Sequence, residues 1–520
     1  MAEQFDVVVV GARVSGSPLA ALLARRGVKV CVLEQTVFPQ HTLSSHVLQA
    51  DSLSFLNRFG VLDEIKATGA PIMTRSDTRL NDFRFVADFP SFPGYVGGAV
   101  CIRRHVLDPI LANEAVKSGV DMRMGVKVVD LIEEHGRIAG VRVKSGGQES
   151  EIRARLVVGA DGRESTVARH RGARRYNVTT NDRWYYWTYF EGADLTVTPT
   201  FILHRWGDRH IFAGPADNGL YIVGVSPQEH EKERFRENRR ESLMEHVYSC
   251  PPLAEVLRDA KISDSEKIYG ILHFEGYFRE ASGPGWVLIG DAGHFKDPAA
   301  GRGIGDAFHQ AERLAPAIIK ALRESDAAID EATAAFGRWR DRLYSPYYWL
   351  AIDLGRVGPL PSVVPEVVSR LHANGRIDKF LELFSHRAGP SDLVTPGRIL
   401  DATARRMTGP KGRRAFVREL GETLRDEARR RWVNRRPVIE VAPPPKSAAR
   451  RGHGPAAARP AHAPAATPKA ASAPASAPIS APAPAPVSGP KSGSAPKSAP
   501  AATTAPKAAP APASTPTSTT

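Results

Sequence analysis

Val7-Val8-Val9-Val10-Gly11-Ala12-Arg13-Val14-Ser15-Gly16 is the stretch on which the fold turns. Four β-branched residues in succession favour a strand buried on both faces, and the glycine after them permits a sharp turn. Leu19, Leu22 and Leu23 then recur at helical spacing up to Gly27, and a second apolar run, Val28–Leu33, ends at Glu34. Strand, turn, helix and strand in this order make the parallel βαβ unit that opens a doubly wound α/β sheet. A turn of the form GxGxxG lets the backbone approach a pyrophosphate at the helix N-terminus. Gly11 and Gly16 hold its outer positions, Arg13 stands at the middle one, and Glu34 ends the second strand, where a carboxylate can accept ribose hydroxyls.

Two further segments repeat the logic of a strand that delivers a polar turn. Leu156–Val158 runs into Gly159-Ala160-Asp161-Gly162, with Ser165 and Arg169 opening a helix. Trp286–Ile289 runs into Gly290-Asp291-Ala292-Gly293-His294 and then into a glycine-rich segment, Gly301-Arg302-Gly303-Ile304-Gly305, which starts a helix expected over about 303–322. Asp291 would sit at the carboxyl end of its strand, placed to bind a polyol hydroxyl. The free N–H groups and positive dipole end of the following helix suit negative charge developing on a ring. Between these segments, residues 178–280 change character, with Trp184, Tyr185, Tyr186, Trp187, Tyr189 and Phe190 in one run. Strand periodicity puts Trp184, Tyr186, Thr188 and Phe190 on one face and Tyr185, Trp187 and Tyr189 on the other. One face is expected either to roof a pocket or to pack as core. His294 reads either as a polar group beside a cofactor or as a packed histidine, and the His41–His46 loop either lies near the cofactor or faces solvent.

Together the three motifs resemble the FAD-dependent monooxygenases of the p-hydroxybenzoate hydroxylase type, within the glutathione-reductase-like flavoproteins, over roughly residues 5–330. The resemblance implies that Gly11, Gly16 and Glu34 hold the ADP part of FAD, that Arg104 reaches its phosphates and that the Val128 backbone borders the adenine. It further implies that Asp161 and Gly162 contact FAD and NAD(P)H, that Asp291 binds the ribityl chain, and that Gly301, Gly303 and Ile304 face the pyrimidine edge of the flavin. NAD(P)H would be the electron donor, with dioxygen and a small aromatic or conjugated organic molecule as the other reactants and a flavin hydroperoxide as the oxygen carrier. The cofactor performs the bond chemistry in such a scheme, so no side chain is singled out as catalytic. Two other chemistries share this fold: a double-bond reductase of the geranylgeranyl-reductase kind, and a flavin halogenase, whose Trp-x-Trp-x-Ile-Pro segment this sequence lacks. A non-catalytic scaffold binding a partner through the basic C-terminal arm is the alternative from another class.

The expected architecture is α/β: a Rossmann-like FAD-binding domain from 1–177 and 281–330, a β-rich substrate domain from 178–280 that residues about 75–100 join, and a helical region from 331–436. About half of the 41 prolines lie beyond it. The segment 437–520, rich in Pro, Ala, Ser and Thr, lacks the apolar side chains that offset ordering entropy and is expected to be disordered. Charge is unevenly spread across the formal +14. Eight Lys/Arg face Glu440 alone after residue 436, and twelve face four acids between 404 and 436, so residues 1–403 are close to neutral. That basic end reads as a solvated helix with a tail, or as an electrostatic tether for nucleic acid or an anionic surface. Three widely spaced cysteines, Cys31, Cys101 and Cys250, suggest neither a disulfide framework nor zinc. No basic-flanked leader or long apolar span is present, so a cytoplasmic protein is expected. The oligomeric state is left open.

Overall fold

The computed structural model describes residues 3–42, 44–181, 183–408, 413–435 and 437. The segment expected to be disordered lies, Pro437 apart, outside the described residues. Strand β1 (Glu3–Val10) leads through the glycine turn into α1 (Gly16–Ala24) and β2 (Val30–Glu34). Two helices, Ala50–Phe59 and Leu62–Ala67, precede strands β3 (Arg75–Leu80) and β4 (Phe83–Asp88), and α2 (Arg104–Lys117) and β5 (Asp121–Met124) follow. The hairpin β6 (Lys127–Glu134) and β7 (Arg137–Ser145) feeds the long β8 (Gln148–Gly159), which α3 (Thr166–Arg171) follows. Further strands are β9 (Arg175–Asn181), β10 (Tyr185–Glu191), β11 (Thr200–Trp206), β12 (Arg209–Pro215), β13 (Tyr221–Ser226), β14 (Phe274–Arg279) and β15 (Trp286–Leu288). Helices α4 (Gly303–Leu322), α5 (Asp326–Gly355), α6 (Val363–Ala373), α7 (Asp378–Leu383), α8 (Pro396–Thr408) and α9 (Arg413–Arg435) complete the order.

The first sheet runs β15–β8–β1–β2–β5, all parallel, with the β6–β7 hairpin laid antiparallel on β8. Its register explains why distant motifs meet. Val10 pairs with Gly159 and with Leu33, and Gly159 pairs with Leu288, so the turns at 11, 34, 161 and 291 leave the sheet at one carboxyl edge. That edge is where open α/β sheets bind ligands. Alternation fills both sides. Val7 and Val9 pack with Leu19, Leu23, Phe308 and Leu314 under α1 and α4, while Val8 and Val10 pack with Val128, Val143 and Ile152 of the hairpin side. Each face buries its valines almost completely, which stabilises by about 1.5–3 kcal/mol per side chain as an upper bound.

The second sheet runs β10–β13–β12–β11–β3–β4, antiparallel except where Thr200 of β11 pairs in parallel with Arg75 of β3. Trp184, Tyr186 and Phe190 share one face with Phe235, Leu243 and Val247. These three come from short helices, Lys232–Glu237 and Arg239–Tyr248, within the stretch expected to be β-rich. Their charged sequences hide the few apolar positions that dock them. Helix α5 packs Tyr344 and Tyr348 on Tyr176 and Phe278 of β9 and β14, and α6 and α7 close over Leu80 and Phe85 of the second sheet.

Candidate active site

A cavity of about 570 Å³ opens along the carboxyl edge of the first sheet and runs on toward the second. Of the eleven residues singled out in the sequence, Gly11, Glu34, Arg104, Val128, Asp161, Gly162, Asp291, Gly303 and Ile304 line it. Gly16 and Gly301 do not. Gly16 works behind the wall, where a Cβ would overlap the Gly11 carbonyl oxygen and push α1 off the turn. Gly11 itself needs glycine, since its φ is +101° and a Cβ would lie 2.6 Å from the Ala160 carbonyl oxygen. Gly301 borders a narrow apolar extension, lined also by Phe201, Leu203, Phe380, Leu381 and Phe384. This extension shares Ser45, His210, Phe212, Pro298 and Ala299 with the main cavity.

At one end, the buried Glu34 carboxylate accepts the Ala12 N–H at 3.1 Å and both the N–H and the hydroxyl of Thr36. Arg13, at the middle glycine position, is not in the left-handed region, so its side chain adds no backbone strain there. Its guanidinium lies 3.7 Å from the Asp108 carboxylate, which Arg104 also grips through two bonds of 2.7 and 3.0 Å. One fully buried acid thus holds two arginines against the cavity wall. The residue that stands in place of the motif's middle glycine adds a second cation to this part of the cavity wall.

Asp161 is largely spent on structure. Its Oδ2 accepts the Thr166 N–H at 2.6 Å and caps α3, while Oδ1 is buried without a partner, and burial raises its pKa against the opposing Ser165 and backbone bonds. Asp291 differs. Its backbone oxygen accepts the Tyr277 hydroxyl at 2.7 Å, but its carboxylate has no protein partner among the described residues and borders the cavity. Burial pushes it up to about 6, with Arg163 and Arg104 opposing. A carboxylate left free at that depth fits a hydroxyl-bearing chain.

Beyond Asp291 the wall becomes densely charged. Lys296 donates to Asp306, and Arg302 clasps Asp51 through two bonds of 2.7 Å. Burial would raise Asp306, yet Lys296, His294, His386 and Arg302 outweigh it and hold the carboxyl well below its ordinary value. These fixed pairs brace the start of α4, whose first turn has no side-chain cap and whose Gly303 leaves open space where a Cβ would be. The uncapped N–H groups and dipole end are therefore open to an electron-rich group. His294 lines the cavity beside them, kept neutral by burial. In the His41–His46 loop, Thr42, Ser44 and Ser45 line the cavity and Leu43 lies outside the described residues, whereas His46 is buried and pushed down to about 3.

At the far end Tyr185, Trp187, Phe212, Ile271 and Phe295 form an aromatic chamber, with His210 set 3.4 Å from the Tyr185 hydroxyl. The odd-numbered face of the aromatic run supplies Tyr185 and Trp187, while its even face is core. Sequence reading missed His210 and Phe212, which sit on an ordinary strand with no motif. It also missed Lys296, Asp297 and Arg302, although Arg302 stands within the glycine-rich segment Gly301–Gly305. An acid at one end, paired arginines next, a free carboxylate in the middle and an uncapped helix start near an aromatic chamber together fit FAD.

Comparison with known proteins agrees. The chain is 25% identical over 357 residues to a digeranylgeranylglycerophospholipid reductase of Methanosarcina acetivorans, covering 66% of this chain and 82% of that one. It is 26% identical over 330 residues to 6-methylpretetramide 4-monooxygenase of Streptomyces rimosus, covering 62% and 77%. The myxobacterial chondrochloren halogenase shares the fold, with a TM-score of 0.60 at 22% identity over 77% of this chain and 96% of that one. So does aklavinone-11 hydroxylase, solved with FAD and aklavinone, at a TM-score of 0.51 and 23% identity over 62% and 63%. Residues 4–335 match the family described as FAD binding domain, and the chain belongs to that family of FAD-dependent monooxygenases and related oxidoreductases.

Proposed function

We propose that the protein is an NAD(P)H-dependent monooxygenase that hydroxylates a small aromatic or conjugated organic molecule. The observation that carries this reading is the aromatic chamber of Tyr185, Trp187, Phe212 and Phe295 at the α4 end of the cavity, which is shaped for a flat, electron-rich ring. Glu34 would accept the adenosine ribose hydroxyls, and Val128 would border the adenine. Arg104 and Arg13, both braced by Asp108, would face the pyrophosphate, and Asp291 would accept from the ribityl chain. The chemistry FAD supplies when bound is two-electron transfer and dioxygen activation. Around it the chain orients and excludes water. Fixed N–H groups at Gly303 and Ile304 favour negative charge on the ring without rearranging, and apolar chamber walls keep solvent from the reacting atoms.

The test is NAD(P)H consumption by the FAD-loaded protein with a panel of phenols, polyketide-type aromatics and isoprenoids, coupled to an oxygen electrode. A member that accelerates NAD(P)H oxidation, consumes dioxygen and gains one oxygen atom supports the reading. Anaerobic turnover with a reduced double bond would replace it with the reductase reading, which the narrow apolar extension toward Phe380 and Phe384 favours because it suits a hydrocarbon chain.

A further inference from the structure

A second cavity, of about 630 Å³, lies on the other side of the chamber wall, between β9 and β14 and the helices α5 and α9. Asn177, Thr179 and Gly276 line its strand side, and Trp349, Ile352 and Arg430 its helix side. The two cavities have one lining residue in common, Asp297. Its Oδ1 accepts the Ala299 N–H at 2.8 Å and caps the short turn Pro298–Ala300. Its Oδ2 has no hydrogen-bond partner among the described residues. The carboxyl packs on Gly355 of α5, where a Cβ would overlap it. This fit keeps the group in the wall and leaves it one free oxygen.

Charged and titratable groups face Asp297 from each element around it: Arg183 ahead of β10, Tyr185 on β10, Arg205 on β11 and Tyr348 on α5. Both arginines are engaged elsewhere. Arg183 donates to Asp208 and to the Gly355 and Arg356 carbonyls, and Arg205 donates to the Arg356 and Gly358 carbonyls. Burial raises Asp297 to about 7, against the Ala299 bond and the two arginines. The other titratable groups of the chamber are shifted away from neutrality or paired. Burial drives His210 well down and Tyr185 well up, while Lys296 is committed to Asp306. Asp291, whose cationic neighbours are Arg163, Arg104 and Lys296, does not line the second cavity.

We propose that Asp297 passes protons between the second cavity and the flavin chamber. The proposal rests on the oxygen-activating reading above, because that chemistry consumes a proton inside a chamber built to exclude water. In the simplest balanced case, one anionic reduced flavin, one dioxygen and one proton give one oxidised flavin and one hydrogen peroxide. Two electrons leave the flavin, and the flavin proton together with the imported one ends on the peroxide. Asp297 supplies the imported proton from its carboxyl and is recharged from the α5–α9 side.

The experiment uses the full-length FAD-loaded protein, photoreduced without NAD(P)H or organic substrate and mixed with oxygenated buffer. Return of oxidised-flavin absorbance and peroxide release are followed between about pH 6 and about pH 8, a range that brackets a carboxyl titrating near neutrality. Asp297→Asn keeps the turn cap, since Asn caps as well as Asp, and is expected to slow reoxidation by about a hundredfold or more, the lower part of the range for general acid catalysis. It is also expected to flatten the pH profile and to recover rate when a small weak acid such as formic acid is added, which damage to packing alone would not produce. Infrared difference spectra of the holoprotein across the same range give a readout independent of turnover: a protonated-carboxyl band that titrates in the wild type and is lost in the variant. Ile352→Trp, which narrows the second cavity and leaves the Asp297 carboxyl in the chain, should slow reoxidation in the same direction and carries the test if D297N loses FAD. Wild-type rates in both variants across the pH range, or carboxyl titration in D297N that matches the wild type's in full once the Asp291 contribution at about 6 is allowed for, overturn the proposal. Failure to oxidise NAD(P)H would instead remove the monooxygenase reading and leave this measurement standing.

Discussion

Replacing Asp291 with asparagine should make the apoprotein more stable and the holoprotein weaker, and the two effects should separate with pH. The carboxyl is moved from 3.8 to about 6 by burial, with Arg163 and Arg104 only partly opposing. Each tenfold change in proton affinity is worth about 1.4 kcal/mol, so holding this group ionised in the folded chain costs about 3 kcal/mol at most. The lower end is the safer expectation, because the side chain faces the cavity and not packed protein. The sign follows from linkage. The folded state binds the proton more tightly than the unfolded chain, so the cost is absent below about pH 4, grows as pH rises toward about 6, and is complete above it. In the Asp291→Asn apoprotein that cost disappears, and its urea midpoint should exceed the wild type's at pH 7 but not at pH 4. FAD affinity should move the other way. A hydrogen bond to a charged group contributes about 1.5–3 kcal/mol, so FAD should bind about 10- to 150-fold more weakly at pH 7. Flavin fluorescence quenching on titration into apoprotein measures it. Equal FAD affinity in the variant, or a stability difference that does not change with pH, would refute the assignment of Asp291 as a carboxylate kept charged for the ligand.

Gly16→Ala should cost about 3 kcal/mol or more, at the upper end for overpacking, because the obstacle is the Gly11 backbone and not a side chain that can turn aside; thermal unfolding and FAD retention on gel filtration report it. Arg104→Met strands the fully buried Asp108 with only Arg13 at 3.7 Å and should destabilise by about 3–5 kcal/mol. Adding Asp108→Asn should recover part of that loss in chemical denaturation, which a simple packing defect at 104 would not allow. Trp187→Leu, which removes a ring stacked at 5.8 Å on Tyr269, should enlarge the chamber and shift NAD(P)H consumption toward bulkier aromatics without altering the visible spectrum of bound flavin. A spectral change would place Trp187 against the cofactor and not the substrate.

The nucleotide end was legible because local chemistry and global position agree there. Val7–Val10, Leu156–Val158 and Trp286–Ile289 are apolar runs that only a parallel sheet buries on both faces, and each hands its next residues to the carboxyl edge. Glu34, Asp161 and Asp291 therefore announce themselves by following a strand. The same local view could not show that Arg13, which stands where the motif has its middle glycine, meets Asp108, 95 residues away. It also missed the helices between 232 and 256, whose apolar residues Phe235, Leu243 and Val247 are too sparse among charges to stand out. His210 and Phe212 were silent for another reason. A β-strand puts alternate side chains on opposite faces, but nothing within β12 says that one of them borders a chamber completed by Pro298 and Ala299.

The division has a consequence for how the reaction is chosen. Reductases, monooxygenases and halogenases are all similar to this chain, and in the proposed placement the segments around Gly11, Asp161 and Asp291 hold FAD and leave the substrate to other walls. The chamber walls come from β10 and β12 and from the α7 side of the apolar extension, whose strands and helices pack in separate clusters from the core of the first sheet. Substitutions there can reshape the chamber at little cost to the sheet that holds the dinucleotide, because distant sites contribute nearly independently to stability. Asp297 stands at the seam, in the loop between β15 and α4, reaching a second cavity that the nucleotide site does not use. If chemistry diverges through the walls, swapping the chamber faces of Tyr185, Trp187, His210 and Phe212 should change the product while FAD affinity stays within a fewfold of wild type, and a parallel loss of both would mean that cofactor and substrate walls are one energetic unit.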